Sequence, residues 1–273
     1  MARLSISTAW TETGQFLARE AGLVLPIAFL FIALPPAANV LLLPLSDGPE
    51  PVGRIFLDLG LTLLAVVTGL IGSIAIGHLA LVPGVSVREA LHRGLTRFLS
   101  LLGMSLLVII PLIILMVILV MIALPNAGSI PNPQAPGPLF SILVIVAFVA
   151  IWTKFSMATP VTAQEQEGPV GILTRSWELT AGHYPKLFAT FLALTFVSWL
   201  AVLGLSSGLG VLIVLAAGPP AVGSLSFIAI VMLDTILQTI VIAVTGVLIA
   251  RLYVQLAQDE SYAQLARDET ETA

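Results

Sequence analysis

Asp234 lies about nine residues into the apolar stretch 225–250, where an ionised carboxylate needs compensation. At 1.5 Å per residue it stands ~14 Å down a helix. A charged Asp at that depth costs on the order of 2.5–3.5 kcal/mol. Protonation, a hydrogen bond from an amide such as Gln238 one turn on, or a nearby cation would each offset that cost. Lys154 is the only other charge well inside an apolar stretch, roughly 8 Å lower by the same helical rise. Its stem reaches Asp234 if the two helices adjoin, or snorkels to the headgroups if they do not. Asp234, Lys154 and Gln238 therefore form a candidate intramembrane polar site, and its chemistry would be passage of a proton or polar solute.

A second set is cationic. Arg88, Arg93, Arg175 and Lys186 fall in two polar segments between apolar stretches, where they can form a collar that holds anionic lipid headgroups. Arg175 has a plainer partner as well, Glu178 at i,i+3. Trp10 and Trp177 belong at the headgroup level as interfacial anchors. The three histidines, His78, His92 and His183, all fall at the ends of apolar stretches, and interfacial placement explains each one alone. No phosphate loop, dinucleotide fingerprint, zinc-protease helix or nucleophile elbow occurs. No catalytic residue, metal ligand or cofactor-binding residue is expected.

The elements that must position these residues follow from composition. The chain has 273 residues, 58% hydrophobic and only 10% charged. Soluble domains carry about 25% charged residues, so lipid is the solvent for most of this chain. Six apolar stretches, about 22–43, 55–82, 98–124, 139–162, 187–216 and 225–250, each approach the ~20 residues that cross a bilayer. Helix is the state that satisfies their backbone groups in lipid. The expected fold is an all-α integral membrane bundle of six transmembrane helices, with short amphipathic helices at the cytoplasmic interface. Pro26, Pro35 and Pro36 should kink the first span and Pro111 the third. Residues 5–20 read as a short surface helix, and 255–273 as an acidic cytoplasmic tail following the transmembrane domain 1–254.

Ten of the eleven basic residues fall on one side, leaving Arg54 on the other. That bias predicts cytoplasmic N- and C-termini. The net charge of -4 equals the tail's balance from Gln255 onward, five acids against Arg267. The remainder is neutral and gives nucleic-acid binding no electrostatic support. Anionic lipids on the cytoplasmic side are the expected partners, with room for a membrane or cytoplasmic protein partner.

Two inner segments share a plan. In Val85–Val108, Ser86 and Glu89 form a capping box and Val87, Leu91 and Leu95 fall on one face. In Gly168–Leu194, Pro169 can start a helix and Gly182 can end it, with Val170, Leu173 and Trp177 on one face. Each reads as a short interfacial helix leading into a span, and the two make weak parallel repeats. Small residues at four-residue spacing (Ala65, Gly69, Ser73 and Gly77; Gly204 and Gly208; Thr235, Thr239 and Ala243) are expected packing seams.

The opening AWTETGQFLAREAGLVLPIAFLFIALP and the segment EQEGPVGILTRSWELTAGH at 165–183 resemble bacterial six-helix membrane proteins of the YciC type. The chain is similar also to the membrane domain that accompanies some glycerophosphodiester phosphodiesterases. The resemblance is sharpest over Arg175 to Gly182. It implies a bacterial inner-membrane location and envelope or lipid-related roles, and it carries over no catalytic residue. His92-Arg93-Gly94 matches a motif of the phosphodiesterase catalytic domain, but that (β/α)₈ barrel needs ~250 residues, and this chain is committed to six spans. The reading is a non-enzymatic accessory or scaffold protein; the alternative is a small-molecule or lipid transporter using Asp234.

Overall fold

The computed structural model describes residues 4–42, 52–123 and 138–271. Every element within them is helical. Six helices are long and apolar enough to cross a membrane, so the chain is a multi-pass, all-α membrane bundle.

The N-terminal helix α1 (Ile6–Ile27) begins at Ser5, whose hydroxyl accepts from the Thr8 amide. It passes through a π-helical segment, Ala28–Ala33, into α2 (Leu34–Leu42) without a break. Residues 5–20, expected as a separate short helix, are therefore continuous with the first apolar helix. The widened segment has a local cause. In α geometry the rings of Pro35 and Pro36 would meet the carbonyls four residues back, of Phe31 and Ile32. The chain instead bonds Leu34 N–H to Phe29 O, five residues back.

Helix α3 (Val52–Leu81) returns through the bundle, and the loop at Gly84, with φ +80°, turns it into α4 (Val87–Ala123). The Glu89 amide donates to Ser86 Oγ at 3.3 Å, so the expected N-cap forms. No separate interfacial helix follows it, because no breaker separates Arg97 from the apolar run, and α4 continues as one rod through Pro111. The second unit does break. Helix α5 (Pro138–Phe155) stops where the ring of Pro160 would collide with the carbonyl of Ser156, and the short α6 (Ala158–Gln164) follows. Helix α7 (Pro169–Ala181) starts at Pro169 and ends at Gly182. Helix α8 (Tyr184–Ala217) and α9 (Leu225–Glu271) complete the fold.

Burial is uneven along the bundle normal. Ile71–Ala80 of α3, Met157–Ala163 around α6, and Ala243–Leu256 of α9 supply most of the buried apolar side chains. The opposite halves of α3, α4, α8 and α9 present exposed Leu, Ile, Val and aromatic residues, such as Leu63, Ile113 and Leu212, as a lipid-facing surface requires. The core therefore sits toward the end that carries α6, α7 and the arginines. Close approach there uses glycines other than the expected ones. A Cβ on Gly94 would stand 2.5 Å from the Ile71 carbonyl oxygen, and one on Gly72 would meet Phe31 and Ile32 below 3.0 Å. Gly69, Gly204 and Gly208 have open space instead, while Gly77 makes ordinary contact with α6 and Thr235, Thr239 and Ala243 are buried. Of the residues marked by four-residue spacing, Gly69, Gly204 and Gly208 thus make no close approach within the chain, and Gly77, Thr235, Thr239 and Ala243 are packed.

Candidate functional site at the arginine-rich end

The stripe Leu248, Leu252 and Leu256, spaced at i,i+4 and fully or almost fully buried, carries α9 past the end of its apolar stretch. Residues 255–271, expected as part of a separate acidic tail, therefore begin inside a packed helix. Gln255 accepts the Ser5 amide at 3.0 Å, which ties this helix to the start of α1. One turn further on, Glu260 meets Arg175 of α7. The guanidinium donates from Nη1 and Nη2 to the two carboxylate oxygens, at 2.8 and 2.6 Å.

Arg175 also donates from Nε to Glu165 Oε1 at 3.5 Å, and Glu178 lies 3.8 Å away at i,i+3. Tyr253 OH donates to the same Glu165 oxygen at 2.9 Å. A chain Tyr253–Glu165–Arg175–Glu260 thus ties the α6–α7 linker, α7 and α9 together. The hydrogen bonds from the guanidinium to Glu260 outweigh its desolvation and raise the pKa of Arg175 above its already high ordinary value. It is a fixed cation.

The α6–α7 linker is held from α4 as well. Arg93 donates from Nε to Ala163 O at 3.0 Å and from Nη2 to Gln164 O at 3.3 Å. Arg97 Nη2 donates to the carbonyls of Glu165 and Glu167, both at 2.8 Å. The Ala163 and Gln164 carbonyls belong to the last turn of the seven-residue α6, which leaves acceptors without intrahelical donors, and those of Glu165 and Glu167 follow it. Cations at a helix C-terminus also complement its dipole. The His92-Arg93-Gly94 triplet has structural reasons residue by residue: His92 is exposed, Arg93 caps α6, and Gly94 lets α4 close on Ile71.

Two members of the expected cationic collar, Arg93 and Arg175, are committed to protein acceptors. Arg88 and Lys186 are exposed. Lys154 Nζ lies over the rings of Trp177 and Tyr184, 4.4 and 4.6 Å from their centroids. Such placements favour a cation by about 0.5–2 kcal/mol. Asp234, for its part, accepts from Ser206 of α8 at 2.6 Å. The structure does not bring Lys154 to Asp234: each has its own partner on a different pair of helices. Gln238 is exposed on the surface of α9, and Trp10 and Trp177 are each about half exposed, at 51% and 52%.

Among the described residues no three His, Asp, Glu or Cys side chains gather closely enough to hold a metal ion. The sequence reading missed Arg97, Glu165, Tyr253 and Glu260. The continuing Leu248–Leu252–Leu256 stripe was the available signal that Tyr253 and Glu260 ride on a docked helix.

A family model, that of a domain of unknown function, DUF7847, matches residues 4–256. The chain belongs to the DUF7847 family. No curated protein and no solved structure matches it. None of these findings links the chain to YciC-type proteins or to the phosphodiesterase membrane domain.

Proposed function

We propose that this DUF7847 protein is a non-enzymatic accessory or scaffold protein of a bacterial inner membrane, with both termini cytoplasmic and a role in envelope or lipid homeostasis. One observation carries the reading: the arginine-rich end spends its strongest cations on carboxylates and carbonyls of its own chain. Arg93, Arg97 and Arg175 lock α6, α7 and the end of α9 into a fixed polar platform. A catalytic centre would instead pair a nucleophile or acid with a base near open space. Exposed Arg88 and Lys186 at the same end supply contacts for anionic headgroups. The resemblance to YciC-type proteins supports the envelope and lipid assignment.

The test is mass spectrometry of what copurifies with the tagged full chain from its own host in native nanodiscs. A stoichiometric protein partner supports the scaffold reading and identifies its pathway. Absence of any partner, together with solute uptake by proteoliposomes of the purified chain, would overturn it.

Transport remains the second reading, favoured by the Asp234–Ser206 hydrogen bond. It places an acid between two spans, with the exposed amide of Gln238 one turn away. In that reading Asp234 takes up and releases a proton or binds a polar solute as Ser206 changes partner.

A further inference from the structure

A groove of about 480 Å³ lies between α1, the loop that follows α3, and Arg251 of α9. It shares α9 with the Arg175 network, Arg251 standing two residues before Tyr253, but its charged side chains take no part in that network. Glu12, Arg19, Glu20 and Arg251 line it. Among the described residues none of these four makes an ion pair or side-chain hydrogen bond to another protein group. Arg251 Nε is buried and has no acceptor, and its guanidinium rests 5.1 Å from the ring centroid of Phe16. A buried donor left unmade is a free-energy cost that a bound acceptor removes. Arg93 and Arg175 donate to protein from Nε; Arg97 Nε also lacks an acceptor, but its Nη2 donates to two carbonyls, whereas among the described residues no atom of the Arg251 guanidinium does.

The spacing on α1 defines the layout. Phe16 sits one turn from Glu12 and one turn from Glu20, and Arg19 lies three residues on, so the two carboxylates flank the level of Arg251 at roughly 5–6 Å along the axis on either side. The deeper wall is apolar, formed by Leu23, Val24 and Leu79, and it continues into the spans. A simple anion bound at Arg251 and Arg19 would face Glu12 and Glu20. A simple cation bound at those acids would face the arginines. A zwitterion satisfies both sets, and an acyl chain satisfies the wall.

We propose that this groove binds a phosphoethanolamine group, presented by a membrane phospholipid: the phosphate on Arg251 and Arg19, the primary ammonium on Glu20 or Glu12, and the chains along Leu23 and Leu79. The ammonium lies two carbons beyond the phosphate and donates three hydrogens, which a carboxylate accepts. A choline headgroup has no such donor, and a glycerol headgroup lacks the charge. This inference goes beyond the scaffold reading and does not rest on it.

Native mass spectrometry of the full chain tests it, with phosphatidylethanolamine, phosphatidylcholine and phosphatidylglycerol of the same acyl chains added in equal amounts. The expected result is a phosphatidylethanolamine adduct several-fold above the other two. Arg251→Gln should lower it several-fold, and Glu12→Gln with Glu20→Gln should remove the preference over phosphatidylglycerol. His92→Gln, exposed and outside the groove, should leave it unchanged. Arg251→Lys keeps the charge and guards against loss of fold; it should retain a partial adduct. Competition by soluble phosphoethanolamine distinguishes the sources: displacement of the lipid shows that the headgroup alone suffices, and no displacement shows that the lipid is the ligand. Equal binding of the three lipids, or a preference that survives the groove substitutions, overturns the proposal.

Discussion

Arg175 and Glu260, eighty-five positions apart, close a two-pronged hydrogen bond at 2.8 and 2.6 Å that joins α7 to the last helix. Planar guanidinium and carboxylate match in this geometry, which makes it the strongest class of side-chain pair. Both side chains are about one third exposed, at 28% and 34%, so solvent takes back part of the gain. Glu260→Gln keeps the shape and removes the charge. It should cost about 1–2 kcal/mol, between the worth of a well-formed charged hydrogen bond and that of an exposed pair. Hydrogen exchange over residues 254–261 should rise with it. Unchanged exchange there would mean that α9 is held by its leucine stripe alone.

Gly94 and Gly69 make a matched pair of tests on the packing. Gly94→Ala places a methyl against the Ile71 carbonyl, a backbone atom that cannot rotate away. Forcing α3 and α4 apart should cost about 1–3 kcal/mol, as overpacking does elsewhere. Gly69→Ala meets open space and should stay within about 0.5 kcal/mol of the parent. Thermal unfolding in one detergent reads both. Equal midpoints for the two variants would remove the close approach at Gly94 from the account.

Six spans were legible because the lipid solvent demands long apolar helices whatever their partners. The capping of α4 by Ser86 and the start of α7 at Pro169 were legible too, since both depend on neighbours in sequence. The Arg175 network was not. Arg93 and Arg97 find acceptors about seventy positions away, and Arg175 finds Glu260 only because Leu252 and Leu256 dock the helix that carries it. Spacing by four marked Gly77 rightly but also Gly69, Gly204 and Gly208, which have open space, and passed over Gly72 and Gly94. It marks where a backbone is bare, but the approach of Gly72 to Phe31 and Ile32 depends on the π-helical segment before Pro35, which a regular helical count does not contain.

Asp234 and Ser206 offer a third test. Ser206→Ala removes the hydrogen bond between α9 and α8. Interhelical hydrogen bonds in membranes average about 0.6 kcal/mol, with a maximum near 1.7, and the loss should fall in that range. Asp234→Asn can still accept from Ser206 and should unfold at the parent temperature or above. If stability is kept while a measured solute flux collapses, the transport reading gains and the scaffold reading loses its ground.

Orientation is accessible because the chain has no cysteine of its own. With six spans, both helical termini leave the bilayer on one side, and the order of the apolar stretches puts ten of the eleven basic residues there. Ser7 and Ser261 are exposed near the arginine-rich end, and Ala221 is exposed in the loop between α8 and α9. The excess of Lys and Arg predicts that the first end faces the cytoplasm. In spheroplasts a membrane-impermeant maleimide should therefore label Ala221→Cys and leave Ser7→Cys and Ser261→Cys unlabelled until the membrane is opened. The reverse pattern would put the Arg175 network and the Arg251 groove on the outer face, where a cytoplasmic partner cannot reach either. Labelling of Ser7→Cys and Ser261→Cys on opposite sides would be more serious, since it requires an odd number of crossings and so one helix of the six lying outside the bilayer. The segment to suspect then is 146–164, which is split at Ser156 and has half of its apolar window buried inside the protein.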